Sequence, residues 1–347
     1  MRGGRFMRKY LLPENGNLYK ANLHCHTTVS DGKKTPEEIK DLYMKKGYSV
    51  VAFTDHNAFI PHNDLTDDKF LALNGMEVDV VSRYGAHEDY EVKRCDFSLI
   101  ALDADTIFQP IWHRRLYQEN IREEIKALIR TDENETNYRR SYTAECISYL
   151  MQTARKKGFY VILNHPTLSR EGYMNYTRYD GMHAIEMFNG SSIQMGHDDF
   201  NPRVYDDILN AGRRIFAVGG DENHNVAPDD SRYSDSGLAW TTIKADKLEY
   251  RTITKAMEDG HFYSTEGPEI YEMYVEDDKL YVKFSEAVHV ICHSQHRVGQ
   301  RLFAPEGETI TEVTFGFNKD WGNFRIVITD EKGRRACTNA YFPEDLV

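Results

Sequence analysis

The sequence predicts an α/β protein in which a distorted (βα)7 TIM-like barrel precedes a small antiparallel β-sandwich. Short apolar runs alternate with helical patterns up to about residue 265, and such runs suit parallel strands that are buried on both faces. Polar side chains of ligand type follow most of the runs, as they do at the carboxyl-terminal face of parallel barrels. Helical periodicity then gives way to short alternating runs, which indicate the sandwich. An open doubly wound sheet is the alternative for the first part.

The change in pattern predicts two domains. We expect residues 1–267 to form the barrel domain and residues 268–347 to form a C-terminal β-module. Residues 103–140 are irregular and charged, and we interpret them as an insertion with a helix around residues 117–129, which could cover a site and influence the choice of substrate. The module's histidines lie outside the barrel pattern, so we do not predict them as metal ligands: His289, His293 and His296.

The stretch Asn22–Gly32, with the sequence N-L-H-C-H-T-T-V-S-D-G, is the first that carries candidate ligands. His24 and His26 are two residues apart, and on a strand such residues point to the same face, so their imidazoles can share one metal ion. Asp31, in the S-D-G turn, could bring a carboxylate to the same place. Alternation turns Cys25 toward the core, where we expect it to be a packing residue.

A helix and a second strand follow. Thr35 is the predicted N-cap of the helix, Pro36 takes its first position, and Gly47 ends it. Residues 48–54 then form a continuous apolar run, which predicts a buried strand that leads directly into the D-H-N motif at His56. A strand, a helix and a strand of these lengths make one βα unit.

The same pattern recurs along the chain. Further strands are predicted at residues 97–102 and 183–188, and helices at residues 141–157 and 202–212. Three other predicted strands are each followed by candidate ligands: residues 70–76 by Glu77, residues 160–163 by His165, and residues 215–218 by Asp221, Glu222 and His224.

Composition excludes several classes of function. The chain has 347 residues, 40% hydrophobic and 28% charged, and a formal charge of −12, which argues against nucleic acid or an anionic membrane as the main partner. No apolar run reaches the roughly 20 residues that span a bilayer, and the N-terminal stretch lacks the apolar segment of a signal peptide. The five cysteines are scattered, as expected of reduced thiols in the cytoplasm. The composition does not predict an oligomeric state.

The candidate ligands indicate more than one metal ion. Imidazoles combined with carboxylates suit zinc, manganese or iron better than magnesium or calcium. The set exceeds the needs of one ion and predicts two or three divalent metals, two of which Glu77 could bridge. The predicted metal ligands are His24, His26, Asp31, His56, Glu77, Asp96, His165, Asp221, Glu222 and His224.

The ordered motifs H-C-H-T-T-V-S-D-G, T-D-H-N, G-M-E, N-H-P and D-E-N-H resemble those of the polymerase and histidinol phosphatase (PHP) superfamily over roughly residues 20–265. The resemblance implies a distorted seven-stranded barrel with a trinuclear metal site for phosphoester hydrolysis. It also implies that Asp55 orients an imidazole. The implied ligands are His24, His26, Glu77 and the late acid at the first metal, Glu77 and His165 at the second, and Asp31, His56 and His224 at the third.

Two departures from the family pattern leave alternatives open. The last motif is commonly D-x-H, whereas this chain has D-E-N-H, so either Asp221 or Glu222 is the ligand. The family usually has another histidine at the start of the fourth strand. Asp96 falls near that position here, and His87 is the alternative.

The resemblance predicts a metal-dependent phosphoesterase that hydrolyses a small phosphorylated metabolite, a phosphomonoester or a nucleotide, by attack of a metal-activated hydroxide. Phosphate recognition favours a guanidinium, for which Arg170 and then Arg232 are the candidates. The alternatives are a metal-dependent hydrolase of C–N or C–O bonds and a non-catalytic binding module. The predicted catalytic residues are His24, His26, Glu77, His165, Asp221 and His224.

Overall fold

A computed structural model describes residues 8–82, 93–119, 121–297 and 299–346, and it is a mixed α/β structure, as the sequence predicts. The elements up to residue 163 are β1 (Lys9–Tyr10), β2 (Asn17–Asn22), α1 (Pro36–Lys45), β3 (Val50–Phe53), β4 (Leu71–Val81), β5 (Arg94–Ala101), α2 (Glu123–Lys126), α3 (Ala144–Lys156) and β6 (Phe159–Leu163). Those up to residue 265 are α4 (Tyr173–Tyr176), β7 (Ala184–Asn189), α5 (Gly190–Gln194), α6 (Pro202–Asn210), β8 (Phe216–Gly220), β9 (Trp240–Ala245), α7 (Tyr250–Glu258) and β10 (Phe262–Thr265). The remaining strands are β11 (Ile270–Glu276), β12 (Lys279–Ala287), β13 (His289–Ser294), β14 (Gln300–Phe303), β15 (Ile310–Gly316), β16 (Phe324–Thr329) and β17 (Arg335–Thr338).

The larger sheet has the strand order β14-β13-β16-β17-β10-β9-β2-β3-β4-β5-β6-β7-β8. Within it, β2, β3 and β4 are parallel, and so are β6, β7 and β8. β5 runs antiparallel to both of its neighbours, so the expectation of successive parallel strands is wrong there. In the register of β4 with β5, Val81 lies opposite Arg94.

The last strand of this series, β8, lies against β9. Gly219 donates its backbone N–H to Oγ1 of Thr241 at 2.9 Å, and the same hydroxyl donates to the carbonyl of Gly219 at 2.9 Å. A Cβ at Gly219 would lie 2.8 Å from the backbone oxygen of Trp240, so the close approach requires glycine. β9, which the sequence patterns do not predict, pairs antiparallel with both β2 and β10.

The helices follow local sequence signals where those signals are strong. Thr35 caps α1 by accepting from the backbone N–H of Glu38, whose side chain accepts from the backbone N–H of Thr35, and this capping box confirms the predicted start of the helix. Ile39 and Tyr43 are among the residues that α1 buries. The helix predicted around residues 117–129 is wrong in extent, because only the single turn of α2 is helical among the described residues of that range.

A second sheet, with the order β1-β11-β12-β15, is antiparallel throughout. Its buried side chains share one hydrophobic cluster with those of β13, β16 and β17, which belong to the larger sheet. Pairing of β17 with β10 continues the larger sheet across residue 267. This cluster also contains Leu11, Leu12 and Tyr263, so the strands after residue 267 share both packing and hydrogen bonds with the strands before it.

The cysteines are all free thiols, and Cys25 is buried in a cluster with Ile39 and Tyr43, which confirms its predicted packing role. Across the described ranges, the helices are too short or too polar to cross a bilayer.

Candidate metal centre

The segment that follows β2 carries His24 and His26, and it lies between the ends of β3 and β8. The backbone N–H of Thr54 donates to the carbonyl of Cys25 at 2.9 Å. On the other side, Glu222 donates to the carbonyl of His24 at 2.9 Å and His26 donates to the carbonyl of Asn223 at 3.1 Å. These backbone hydrogen bonds hold both imidazoles at the ends of two strands, where their rings are buried.

Glu77 lies at the centre of the ligand residues. It belongs to β4, which continues four residues beyond it to Val81, so it does not follow the strand as the sequence indicated. Its side chain is fully buried. Oε1 lies 3.4 Å from Nε2 of both His24 and His165, whereas Oε2 lies 2.9 Å from Nδ1 of His56 and 3.4 Å from Nε2 of His26. The two oxygens of one carboxylate therefore face different pairs of imidazoles.

The candidate ligands form two groups, within each of which the ligand atoms lie within 4.8 Å of one another. The inner group, which is buried, consists of His24, Glu77, His165 and Glu222. The outer group consists of His26, Asp31, His56 and His224. Asp31 gives the outer group access to solvent, because its side chain is 47% exposed.

This grouping differs from the three metal positions that the resemblance implied. His24 and His26 belong to different groups, although their Nε2 atoms are only 3.1 Å apart. The ring of His24 stacks against His165 at 5.7 Å, whereas the ring of His26 lies 4.4 Å from those of both His56 and His224. His24 and His26 lie close together because they are only two residues apart. They belong to different groups because their rings pack against different histidines.

Glu222 and Asp221 have different environments. The Asp221 carboxylate accepts from the backbone N–H groups of Gly237, Leu238 and Ala239 at 2.6 to 2.9 Å, and from the hydroxyl of Tyr43 at 2.8 Å. Those bonds direct it away from both groups. Glu222 instead places Oε1 3.3 Å from Nε2 of His165.

Two candidate ligands have positive φ angles, at 52° for Glu222 and 22° for His165. A non-glycine residue in this region costs on the order of 1–3 kcal/mol, and strain of this kind concentrates at functional sites. The positive φ angle of Glu222 occurs where the side chains of Asp221 and Glu222 point in different directions.

Asp96 lies beside the inner group and outside it. Its Oδ2 is 3.9 Å from Nε2 of His165, and both of its oxygens accept from Nε of Arg94, at 2.8 and 2.6 Å. Burial, opposed by the charge of Arg94, raises the pKa of Asp96 to about 6. The alternative residue, His87, lies outside the described residues.

The carboxylates of both groups are held in their ionised form. Burial opposes ionisation of Glu77, but the charges of His24 and His56 outweigh it and hold the pKa of Glu77 well below its usual range. Burial is likewise outweighed at Glu222 by His165 and at Asp31 by His224, and the pKa of each falls to about 2. Ionised carboxylates are the form that binds metals.

Buried polar atoms without a hydrogen-bond partner test whether metals fit this donor set. Within the described part of the chain, Nδ1 of His26, Nε2 of His165 and Oε2 of Glu222 are such atoms. Oε2 of Glu77 is another, because its 2.9 Å contact with Nδ1 of His56 lacks hydrogen-bond geometry. Each buried group left unsatisfied costs about 1–3 kcal/mol, so four of them in one place call for cations. Imidazole and carboxylate donors suit zinc, manganese or iron, and the residues therefore fit divalent metals of this kind.

Glu186 is a residue of the site that the sequence analysis missed. Its Oε1 lies 2.8 Å from Nδ1 of His24, and its Oε2 accepts from the backbone N–H of His165 at 2.8 Å and from Asn189 at 2.9 Å. Because a carboxylate accepts, Nδ1 of His24 carries a proton and Nε2 is left to face Glu77. An acid within the otherwise apolar run A-I-E-M-F of β7 was the signal in the sequence.

Asp55 does not orient an imidazole, so the role implied for it by resemblance is wrong. Its carboxylate accepts from the backbone N–H and the hydroxyl of Thr27, at 2.8 and 2.9 Å, and from the same two groups of Ser30, at 3.0 and 2.7 Å. These four bonds fix the turn that presents Asp31.

The arginines proposed for phosphate recognition do not contact either group among the described residues. Arg170 is exposed, and its backbone has a φ of 53°. Arg232 is also exposed, and its guanidinium lies over the ring of Tyr233 at 4.6 Å.

Several known proteins are similar to this chain. No protein-family model matches the chain. One solved structure, a two-domain protein containing a predicted PHP-like metal-dependent phosphoesterase from Bacteroides vulgatus ATCC 8482, is 14% identical, with a TM-score of 0.45 and coverage of 97% of this chain and 100% of the other. Another, a candidate metal-dependent phosphoesterase from Bifidobacterium adolescentis ATCC 15703, is 14% identical, with a TM-score of 0.38 and coverage of 62% of this chain and 89% of the other.

Among curated proteins, the DNA polymerase/3'-5' exonuclease PolX of Bacillus subtilis (strain 168) is 36% identical over 64 residues. That match covers 18% of this chain and 11% of the polymerase. The descriptions of these two solved structures name a predicted PHP-like metal-dependent phosphoesterase and a metal-dependent phosphoesterase.

Proposed function

We propose that this chain is a metal-dependent phosphoesterase that hydrolyses a small phosphorylated metabolite, a phosphomonoester or a nucleotide. The observation that carries the proposal is the position of Glu77. One oxygen of its carboxylate faces His24 and His165, and the other faces His26 and His56. A carboxylate shared in this way suits two neighbouring metal sites, which are the arrangement that phosphoryl-transfer enzymes use to bind attacking and leaving oxygens.

The inner and outer groups would hold the metals, with Glu77 between them. Divalent metals, when bound there, supply Lewis acidity toward phosphoryl oxygens and activate water near neutral pH. The resemblance implies a third metal, whereas the two groups support at least two. Manganese, zinc and iron all suit the donor atoms.

The chain's own residues orient the imidazoles. Ser169 lies 3.0 Å from Nδ1 of His165, and the carbonyl of Glu222 accepts from Nδ1 of His224 at 3.0 Å. With Glu186 on His24, these contacts occupy the Nδ1 side of three rings and leave Nε2 for a metal. Asn164 donates to Oε1 of Glu77 at 2.6 Å and fixes the carboxylate between the groups.

The outer group is the side from which a substrate would enter. His224 and Asp31 are 25% and 47% exposed, whereas the ligands of the inner group are nearly inaccessible. Water is therefore largely excluded from the inner side of Glu77. A small phosphate ester suits an opening of this kind better than a folded nucleic acid does, and the formal charge of −12 supports the same choice.

We further propose that β2 to β9 form a distorted barrel of PHP type, that residues 268–347 form a C-terminal β-sandwich module, and that residues 103–140 are an insertion. The contact of Gly219 with Thr241 supports closure of the barrel between β8 and β9. The hydrophobic cluster shared by the two sheets after residue 267 supports the module.

Elemental analysis of the purified chain, combined with a phosphomonoester assay with and without added manganese, tests the function. We expect two or more metals per chain and phosphate release that a chelator abolishes. Glu77→Gln is the matched inactive variant. Metal without phosphate release from any phosphate ester would overturn the proposal in favour of a hydrolase of C–N or C–O bonds. Absence of both metal and activity would favour a binding module.

A further inference from the structure

A row of polar residues runs outward from the inner and outer groups along the antiparallel pair of β4 and β5. In this antiparallel pair, Glu77 lies opposite Ser98 and Asp79 lies opposite Asp96. The next residue on the same face of β5 is Arg94, because side chains two apart on a strand point to the same side. The row therefore passes from the buried bridging carboxylate to an arginine whose side chain is 45% exposed.

Arg94 is held in place by Asp96. Nε of Arg94 donates to both oxygens of Asp96, at 2.8 and 2.6 Å, and the carboxylate itself is buried. Within the described ranges, the two Nη groups form no hydrogen bond with any other residue. Nε of the guanidinium is thus held by Asp96, and the side chain remains partly exposed.

The guanidinium of Arg94 lies near the inner group, to which Asp96 connects it. Oδ2 of Asp96 is 3.9 Å from Nε2 of His165, and Asp96 is level with Asp79, two residues outward from Glu77. Arg94 itself pairs with Val81, four residues outward from Glu77, and its side chain reaches back so that Nε contacts the carboxylate of Asp96. A phosphoryl group bound between the inner and outer groups would have outward-facing oxygens on this side.

Among the described residues, a second arginine at this end of β4 is already engaged. Nη1 of Arg140 donates to Oδ1 of Asn57 at 2.6 Å and to the carbonyl of Asp79 at 2.8 Å, and its side chain is 2% exposed. Arg140 therefore stabilises the loop after β3 and is inaccessible to a ligand. Arg94 combines proximity to the groups with accessibility.

We propose that Arg94 binds an outward-facing oxygen of the substrate's phosphoryl group, and that Asp96 positions Arg94 and does not bind a metal. The inference rests on the proposed function. A planar guanidinium with two free donor groups matches the geometry of phosphate oxygens. It also supplies positive charge beside a site rich in carboxylates, which would otherwise repel a phosphate dianion.

Three variants test this: Arg94→Gln, Arg94→Lys and Asp96→Asn. The control is Arg203→Gln, because Arg203 pairs with the buried carboxylate of Asp207 on α6 in a similar way and lies outside both groups. For each metal-loaded protein we would measure metal content by elemental analysis, binding of inorganic phosphate by calorimetry, and KM and kcat for a phosphomonoester. Circular dichroism would verify folding.

Arg94→Gln is expected to keep its metals and to weaken phosphate binding by about tenfold to a hundredfold, the range for a charge-assisted hydrogen bond. Arg94→Lys, which keeps the charge, is expected to recover part of the affinity. Asp96→Asn is expected to keep its metals and raise KM more than it lowers kcat. The control is expected to match the wild type.

Unchanged phosphate affinity in Arg94→Gln would overturn the role of Arg94, as would a wild-type chain that binds no phosphate. Loss of metal from Asp96→Asn would identify Asp96 as a ligand and overturn its positioning role. These readouts do not require turnover. A wild type that binds metal and phosphate but hydrolyses no phosphate ester would contradict the proposed function while leaving the role of Arg94 supported by the binding data.

Discussion

Oε1 of Glu186 lies 2.8 Å from Nδ1 of His24, and this contact turns Nε2 of the imidazole toward Glu77. A carboxylate behind a metal-binding histidine fixes its tautomer and increases the basicity of the ligand nitrogen. The same carboxylate accepts from the backbone of His165, so it supports two ligands of the inner group.

Glu186→Gln is therefore expected to reduce metal affinity by about 10- to 100-fold, because an amide orients the ring less strongly than a carboxylate does. Competition with a chromophoric chelator measures the affinity. Asp207→Asn, a buried acid on α6 that bonds Tyr176, serves as the control and is expected to retain wild-type affinity. Equal affinities in wild type and Glu186→Gln would contradict the role of Glu186.

The division of the ligands into two groups predicts that single substitutions remove different amounts of metal. His24→Ala is expected to lose the metal of the inner group and His224→Ala that of the outer group, whereas Glu77→Gln weakens both. Activity is expected to fall in all three variants. Elemental analysis after dialysis gives the metal content per chain. If His24→Ala and Glu77→Gln retained the same metal content as the wild type, the two-group arrangement would be wrong.

The adjacent acids at the end of β8 are expected to respond oppositely. Asp221→Asn should lower the free energy of unfolding by about 3 kcal/mol, because it removes a buried charged acceptor for three backbone N–H groups. Glu222→Gln should leave stability nearly unchanged and reduce the metal content. Urea denaturation in the presence of a chelator and elemental analysis separate the two effects. Loss of metal from a folded Asp221→Asn protein would reverse the assignment.

His183 predicts a stability that depends on pH. Burial, with the charge of Arg155, lowers the pKa of His183 to about 3, and Nδ1 accepts from the backbone N–H of Val161 at 3.0 Å. The folded state therefore favours neutral His183, and its contribution is present above the unfolded pKa of about 6.5 and is lost as pH falls from there toward 3.

The variant His183→Gln should accordingly lose less stability on acidification, by about 2 kcal/mol between pH 7 and pH 5. Urea denaturation at the two values, with chelator present, measures the difference. A parallel loss of stability in wild type and variant would show that His183 does not titrate as described.

Gly219→Ala is expected to destabilise the fold by about 1–3 kcal/mol, because its Cβ would lie 2.8 Å from the backbone oxygen of Trp240. Gly316→Ala is the control in another strand, where the nearest atom would be 3.7 Å away. Thermal denaturation compares them. Equal melting temperatures for Gly219→Ala and Gly316→Ala would contradict the prediction that the close contact of β8 with β9 requires glycine.

Sequence patterns predicted much of this molecule because they report local physics. The capping residues of α1 and the apolar runs of β3 and β6 depend on neighbouring residues alone, and their elements lie where the patterns indicated. The helix predicted around residues 117–129 is wrong in extent, since only α2 is helical among the residues that the structure describes there. Ile121 and Ile125 are nevertheless buried, so apolar spacing alone did not determine the backbone conformation.

The sequence by itself determined which residue types gather at the centre, since most of the candidate ligands follow or end apolar strands that converge at one edge of a sheet. Only the tertiary structure decided how they divide. The choice between Asp221 and Glu222 depends on where the backbone N–H groups after residue 236 lie. The antiparallel register of β4 and β5 places Asp96 opposite Asp79 and Arg94 opposite Val81, outward from Glu77. Contacts between residues distant in the chain are set by packing and strand pairing, which a linear pattern does not specify.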